Sequence, residues 1–137
     1  MNLLIVEDDA IQLNGLKHII TEHYPDTNIH TASSYNEAVT VIDSSDINLF
    51  MLDINLGDDK NGLDVCSYLR KRHEHENSPV IFITDITNPS LDVINKYHCT
   101  YYFSKPYSKD DVIKAISSVN SNLIPSASKL QVRDILG

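Results

Sequence analysis

Five short apolar runs are spaced along this chain, each followed by a polar or amphipathic stretch, and that alternation restricts the fold more than any other feature. The runs are Leu3 to Val6, NIHTA at 28–32, Leu49 to Leu52, VIFIT at 80–84 and CTYYF at 99–103. LLIV, LFML and VIFI are continuous in apolar residues, the pattern of strands buried on both faces. Branched and aromatic side chains suit a pleated surface.

The segments between them carry a helical period. Leu13, Leu16 and Ile20, widened by Ile19, predict a helix that starts near Asp9 or Ala10 and ends at the HYPDT stretch, where proline breaks the pattern. Ser34 and Glu37 have capping-box spacing before a second helix with Ala38, Val41 and Ile42 inward. A third helix is expected over Leu63 to Arg72, with Leu63, Cys66 and Leu69 or Arg70 three apart. A fourth is read in NPSLDVINKY from Leu91, Ile94 and Tyr97, with Pro89 at its start. Ser108 and Asp111 open a fifth, whose inward face is Val112, Ile116 and Val119, or Ile113, Ile116 and Leu123. Five strands alternating with five helices predict an α/β fold, a mostly parallel five-stranded sheet covered on both sides and doubly wound as (βα)5.

The 137 residues suit one domain, and 42% apolar with 22% charged residues suits a packed core. A net charge of −8 argues against a broad nucleic-acid surface in this segment, since phosphate binding needs clustered positive charge. No run approaches the roughly 18 apolar residues of a membrane span, and cytoplasm is the expected location. Cys66 and Cys99 lack ligand-like spacing and read as buried small residues. After Leu123, IPSASK reads as a linker and LQVRDILG as a short tail, so the domain is expected over 1–123, with 124–137 a linker or the start of a truncated output region.

In an open parallel sheet, ligands bind beyond the carboxyl ends of the strands. The stretch LFMLDINLGDDKNG runs straight from a strand into Asp53. Glu7, Asp8 and Asp9 follow the first strand, Thr84 ends the fourth and Lys105 lies just past the fifth. Carboxylates converging on one rim repel each other unless a hard cation joins them, and oxygen-only ligands favour magnesium or manganese, or calcium in a larger cavity. A metal, a hydroxyl and an ammonium suit a phosphoryl group, with the aspartate as nucleophile. Each element also has an ordinary reading. EDD is a common solvated helix start, an aspartate after a strand is turn chemistry, Thr84 can be a strand-end hydroxyl and Lys105 a surface lysine. The chemical reading rests on all of them sharing one rim.

Those positions also resemble the receiver domain of bacterial two-component response regulators, over roughly residues 1–123. The resemblance implies the flavodoxin-like, CheY-like form of the doubly wound fold. LLIVEDD is similar to the family's opening strand and acidic pair, implying Asp8 and Asp9 as magnesium-binding acids in preference to Glu7, which sits just before the pair. FMLDI implies Asp53 as the acceptor of a phosphoryl group from a histidine kinase. VIFIT implies Thr84 as the switch hydroxyl, and YFSKP implies the site lysine Lys105, followed by Pro106 after a cis bond. Tyr102 falls at the aromatic switch position, where a half-buried strand tyrosine is the alternative. Asn55 is expected to offer its backbone carbonyl to the metal, and its side chain with Ile86 to tune how long the acyl phosphate lasts.

The chain departs from the family pattern at several points. Gly57 replaces a usual proline, and GDDKNG holds one extra residue before Gly62. Asp85 follows the switch threonine where a small residue is usual, and must point away or oppose the phosphate. HCTYY replaces the usual Gly-Ala pair before the fifth strand.

The implied cycle takes the phosphoryl group from a sensor histidine kinase or phosphotransfer protein, uses Mg2+ (or Mn2+), and moves Thr84 and Tyr102 to change the surface of the fourth helix, fifth strand and fifth helix. That surface is also a candidate homodimer contact. A DNA-binding output carried outside this segment is the favoured consequence. Two other classes stand beside it: a phosphorylation-independent receiver-like interaction module, and a phosphatase with aspartyl-phosphate chemistry, for which Asn55 occupies the place of the required acid.

Overall fold

A computed structural model describes residues 1–85 and 96–122, with the backbone alone for 120–122. Five strands form one sheet: β1 (Asn2–Val6), β2 (Asn28–Ala32), β3 (Leu49–Asp53), β4 (Val80–Thr84) and β5 (Tyr101–Ser104). All neighbours are parallel and the spatial order is β2-β1-β3-β4-β5. This is the flavodoxin-like order, whose direction of winding reverses between β1 and β3.

Successive strand residues point to opposite faces, and the sequence fills both faces with apolar side chains. Leu4, Val6, Phe50, Leu52, Val80 and Phe82 pack with Ala38, Ile42, Val65, Cys66 and Leu69 on one face. Leu3, Ile5, Leu49, Met51, Ile81 and Ile83 pack with Leu16, Ile20, Val112, Ile116 and Val119 on the other. The helices that supply these residues are α1 (Ala10–His23), α2 (Tyr35–Ser44), α3 (Gly62–Arg70) and α4 (Lys109–Asn122). Thus α2 and α3 cover one side, α1 and α4 the other.

Side chains stop and start the helices where the sequence suggested. Ser34 Oγ accepts from the Glu37 N–H at 3.2 Å, although the Glu37 carboxylate turns to Ser33 and leaves Ser34's own N–H out of the box. Ser108 and Asp111 do form a reciprocal pair at 3.2 and 2.9 Å. The third helix ends at Arg70, two residues before the expected Arg72. There the Arg70 guanidinium leaves the helix face and donates to the carbonyls of Tyr97, His75, Ser78 and His98. Its inward face is Val65, Cys66 and Leu69, while Leu63 is only partly buried. Cys66 and Cys99 are unlinked, and burial pushes both thiols up to about 11, which suits packing residues rather than reactive ones. The predicted fourth helix, apart from its last residues, and the 124–137 tail lie outside the described residues, as does Ile86.

Candidate functional site at the carboxyl edge of the sheet

The rim is built by the strand ends. Val6 of β1 stands opposite Leu52 of β3, so the next residues outward, Glu7 and Asp53, become neighbours. The extended backbone persists through Glu7, whose N–H donates to the Ala32 carbonyl at 3.0 Å. Both carboxylates are buried, at 1% and 0% exposure. On the other side of Asp53, Thr84 ends β4 and is buried, and its carbonyl accepts the Lys105 N–H at 2.8 Å. That bond directs the chain past β5 so that Lys105 reaches back across the sheet edge.

Lys105 Nζ lies 2.7 Å from Asp53 Oδ2 and 3.5 Å from Glu7 Oε2. Asp53 Oδ1 accepts the N–H of Asn55 at 3.1 Å. One carboxylate oxygen from each of Glu7, Asp8 and Asp53 lies within 4.8 Å of the others. With one ammonium facing them, this group carries excess negative charge. Burial, then hydrogen bonding to Asp53, push the Glu7 carboxyl up to about 8. Burial by itself lowers the Lys105 ammonium, but the hydrogen bond and charge of Asp53, with Glu7 and Asp85, leave it raised.

Asp9, expected beside Asp8 in the metal set, is not in this carboxylate group. It is exposed and caps α1, its Oδ1 accepting from Ile11 and Gln12 at 2.8 and 3.1 Å. Glu7 stands in the carboxylate group with Asp8 and Asp53 instead, because the β1 register carries it to Asp53 and the chain has turned into the helix by Asp9. Glu7 Oε1 also accepts the Asp9 N–H at 3.0 Å. The signal was present in the sequence as the first acid after LLIV, but locating it needed the β1–β3 register.

Two glycines shape the loop after Asp53. Gly57 has φ +64°, and its missing Cβ would stand 3.0 Å from Asp8 Oδ2. Proline, with φ fixed near −65°, cannot adopt that conformation. The Asn55 side chain is engaged here, its Oδ1 accepting the Gly57 N–H at 3.1 Å. A Cβ on Gly62 would meet the Asp53 carbonyl oxygen at 2.1 Å, so α3 can begin this close to the strand only with glycine. The elongated loop is tied at its far end by Lys60, whose Nζ lies 4.3 Å from the centre of the Tyr35 ring.

Of the remaining predicted positions, Tyr102 is 38% exposed and Asp85 is exposed. The Lys105–Pro106 bond is cis.

The chain belongs to the response regulator receiver domain family, whose model matches residues 3–117. Among curated proteins, it is 28% identical over 126 residues to stress response regulator protein 1 of Scheffersomyces stipitis, covering 90% of this chain and 43% of that one. It is 30% identical over 84 residues to the transcriptional regulatory protein YvrH of Bacillus subtilis, covering 61% and 33%. The response regulator protein GraR of Staphylococcus saprophyticus is 23% identical over 120 residues, covering 87% and 51%. The chain therefore spans a third to a half of these relatives' lengths. Among solved structures, the Vibrio cholerae chemotaxis protein CheY4 superposes with TM-score 0.78 at 18% identity, covering 86% of this chain and 97% of that one. The protein is thus a receiver domain of the response regulator class, with a CheY-like fold. No helix among the described residues is long and apolar enough to cross a membrane.

Proposed function

We propose that this chain is a phosphorylation-operated switch in which Asp53 accepts a phosphoryl group from a phosphohistidine on a sensor histidine kinase or phosphotransfer protein. The observation that carries the reading is the buried Asp53 carboxylate, held 2.7 Å from Lys105 within a group of three acids at the reversal point of the sheet. An aspartate fixed by an ammonium on one oxygen and a backbone N–H on the other is oriented as a nucleophile. Attack by the carboxylate forms the O–P bond as the P–N bond breaks, and the bonding pair leaves on the donor nitrogen. Lys105 then pairs with the new phosphate oxygens.

The donor set suits Mg2+ or Mn2+, because it is all oxygen and its negative charge exceeds what Lys105 neutralises. Glu7, Asp8 and Asp53 would hold the ion, with the Asn55 backbone carbonyl as a further ligand. Asp9, engaged at the helix cap, would act at most through water. When bound, the ion offsets repulsion between these acids and the incoming phosphoryl group.

For the output we propose that Thr84 turns to the phosphate and Tyr102 moves inward, altering the surface around β5, α4 and the segment after β4. The 38% exposure of Tyr102 supports this, since an outward ring has an inward alternative. Asn55 and Ile86 would tune the phosphate lifetime. The same surface would pair two copies. The domain would run over 1–123, with 124–137 leading to an output region. YvrH is called a transcriptional regulatory protein, which supports a DNA-binding output. The test is incubation with acetyl phosphate and Mg2+ followed by intact mass: one phosphoryl group is gained by the wild type and none by Asp53→Asn. Labelling that persists in Asp53→Asn overturns the reading.

A further inference from the structure

Between Gly57 and Asn61 the loop after Asp53 carries three exposed residues, Asp58, Asp59 and Lys60. Its two ends are fixed. Gly57 lies against Asp8, and Asn61 caps α3 beside Gly62, which packs on the Asp53 carbonyl. In the middle, Asp58 Oδ1 accepts the Asp59 N–H at 2.7 Å, a bond internal to the loop. Among the described residues, Lys60 is what joins this middle to the body of the protein, its Nζ 4.3 Å from the centre of the Tyr35 ring. That ring is a firm platform. Tyr35 opens α2, packs partly buried against the core and meets Tyr68 edge-on at 6.4 Å. An open cleft of about 200 Å³ lies between loop and helix, lined by Tyr35, Asn36, Asp58, Asp59 and Lys60, so close packing does not hold the loop in place.

Charge gives the contact its importance. Asp58 and Asp59 follow directly on the glycine that touches Asp8, so they extend the negative charge of Glu7, Asp8 and Asp53. Like charges drive the loop outward, and an ammonium held on a ring face opposes that. We infer that the Lys60–Tyr35 contact is a clip that keeps the Gly57 turn against Asp8 and thereby sets the affinity of the acid group for a divalent cation. The inference rests on the reading of Glu7, Asp8 and Asp53 as the residues that hold the ion. Lys60 and Tyr35 are positioning residues, acting through Gly57, whose N–H is bonded by Asn55 Oδ1. With the clip released, Asp8 loses the wall beside its carboxylate, and affinity falls with the fraction of molecules whose loop is in place. Simple electrostatics predicts the opposite sign. Lys60 is a positive charge near a cation site, so its removal alone would tighten metal binding.

The test measures Mn2+ binding to the whole chain by calorimetry, in the wild type, Lys60→Gln, Lys60→Arg, Tyr35→Leu, Tyr35→Phe and the double variant Lys60→Gln/Tyr35→Leu. Thermal unfolding checks that each is folded. Loss of an exposed cation–π contact predicts that Lys60→Gln and Tyr35→Leu each weaken Mn2+ binding about threefold. The double variant should be no weaker than either single one, because both remove the same contact. Lys60→Arg and Tyr35→Phe keep cation and ring and should bind as the wild type does. Lys60 is exposed, so its variants report even if Tyr35→Leu disturbs α2. Unchanged or tighter binding in Lys60→Gln, or losses that multiply in the double variant, overturn the inference while Mn2+ binding by the wild type leaves the metal reading standing. A wild type that binds no Mn2+ removes that reading and the clip with it.

Discussion

Lys105 Nζ reaches Asp53 Oδ2 at 2.7 Å across 52 positions of sequence, and its side chain is only 16% exposed. A pair this buried is costly to break from one side, because the partner charge is left without water or counter-ion. Lys105→Gln is therefore expected to lower the stability of the metal-free protein by about 3 kcal/mol in urea unfolding. Asp53→Asn should cost less than about 1 kcal/mol, since Glu7 remains within 3.5 Å to pair with the ammonium. Equal losses in the two variants would contradict this asymmetry.

The choice between Glu7 and Asp9 is open to direct measurement. Glu7→Gln should weaken Mn2+ binding, followed by calorimetry, by about tenfold or more. Asp9→Ala should cost about 1 kcal/mol through loss of the helix cap while leaving Mn2+ affinity within about threefold. The reverse pattern would return the metal site to Asp9.

Glu7 also sets a pH dependence. Its folded-state pKa is raised from 4.5 to about 8, so its contribution is fully present below about 4.5 and is lost as pH rises through about 8. The metal-free protein should lose stability between pH 5 and 8.5, in thermal scans with chelator, and Glu7→Gln should flatten that decline. A decline of equal slope in the variant would assign it to other groups.

His75 works in the opposite direction. It is 4% exposed, sits edge-on to Phe50 at 4.9 Å and bonds Ser78 Oγ through Nδ1 at 2.8 Å. Burial lowers its pKa from 6.5; Arg72 and Arg70 add to this, while Glu74 and Asp46 oppose it. A lowered folded pKa means that stability is present above 6.5 and is lost as pH falls below it. His75→Gln should reduce the slope of stability between pH 6.5 and 5, whatever its effect at neutral pH.

Gly57 separates backbone strain from crowding. Asparagine tolerates positive φ better than alanine, but both place a Cβ against Asp8 Oδ2. Gly57→Asn is expected to keep most of its stability yet weaken Mn2+ binding severalfold, whereas Gly57→Ala should lose both. Wild-type Mn2+ affinity in Gly57→Asn would show that the loop yields and that the space beside Asp8 is immaterial.

The alternation of apolar runs with helical spacing was sufficient by itself for the parallel sheet and its two covered faces, because periodicity and continuity are local properties of the chain. It also placed Asp53, Thr84 and Lys105 on one edge, since a parallel sheet puts every strand's carboxyl end on the same side. What the sequence could not decide was which acid after β1 faces Asp53. That depends on the Val6–Leu52 register and on where extended backbone gives way to the α1 cap, and EDD offers three adjacent carboxylates without marking the change. Arg70 likewise falls on a helix face by its spacing, but its partners are carbonyls of segments that only folding brings near. Gly57 and Gly62 look like ordinary loop glycines until Asp8 and Asp53 pack against them. These choices belong to tertiary structure because each is made by contact between residues distant along the chain, where local preference carries no information.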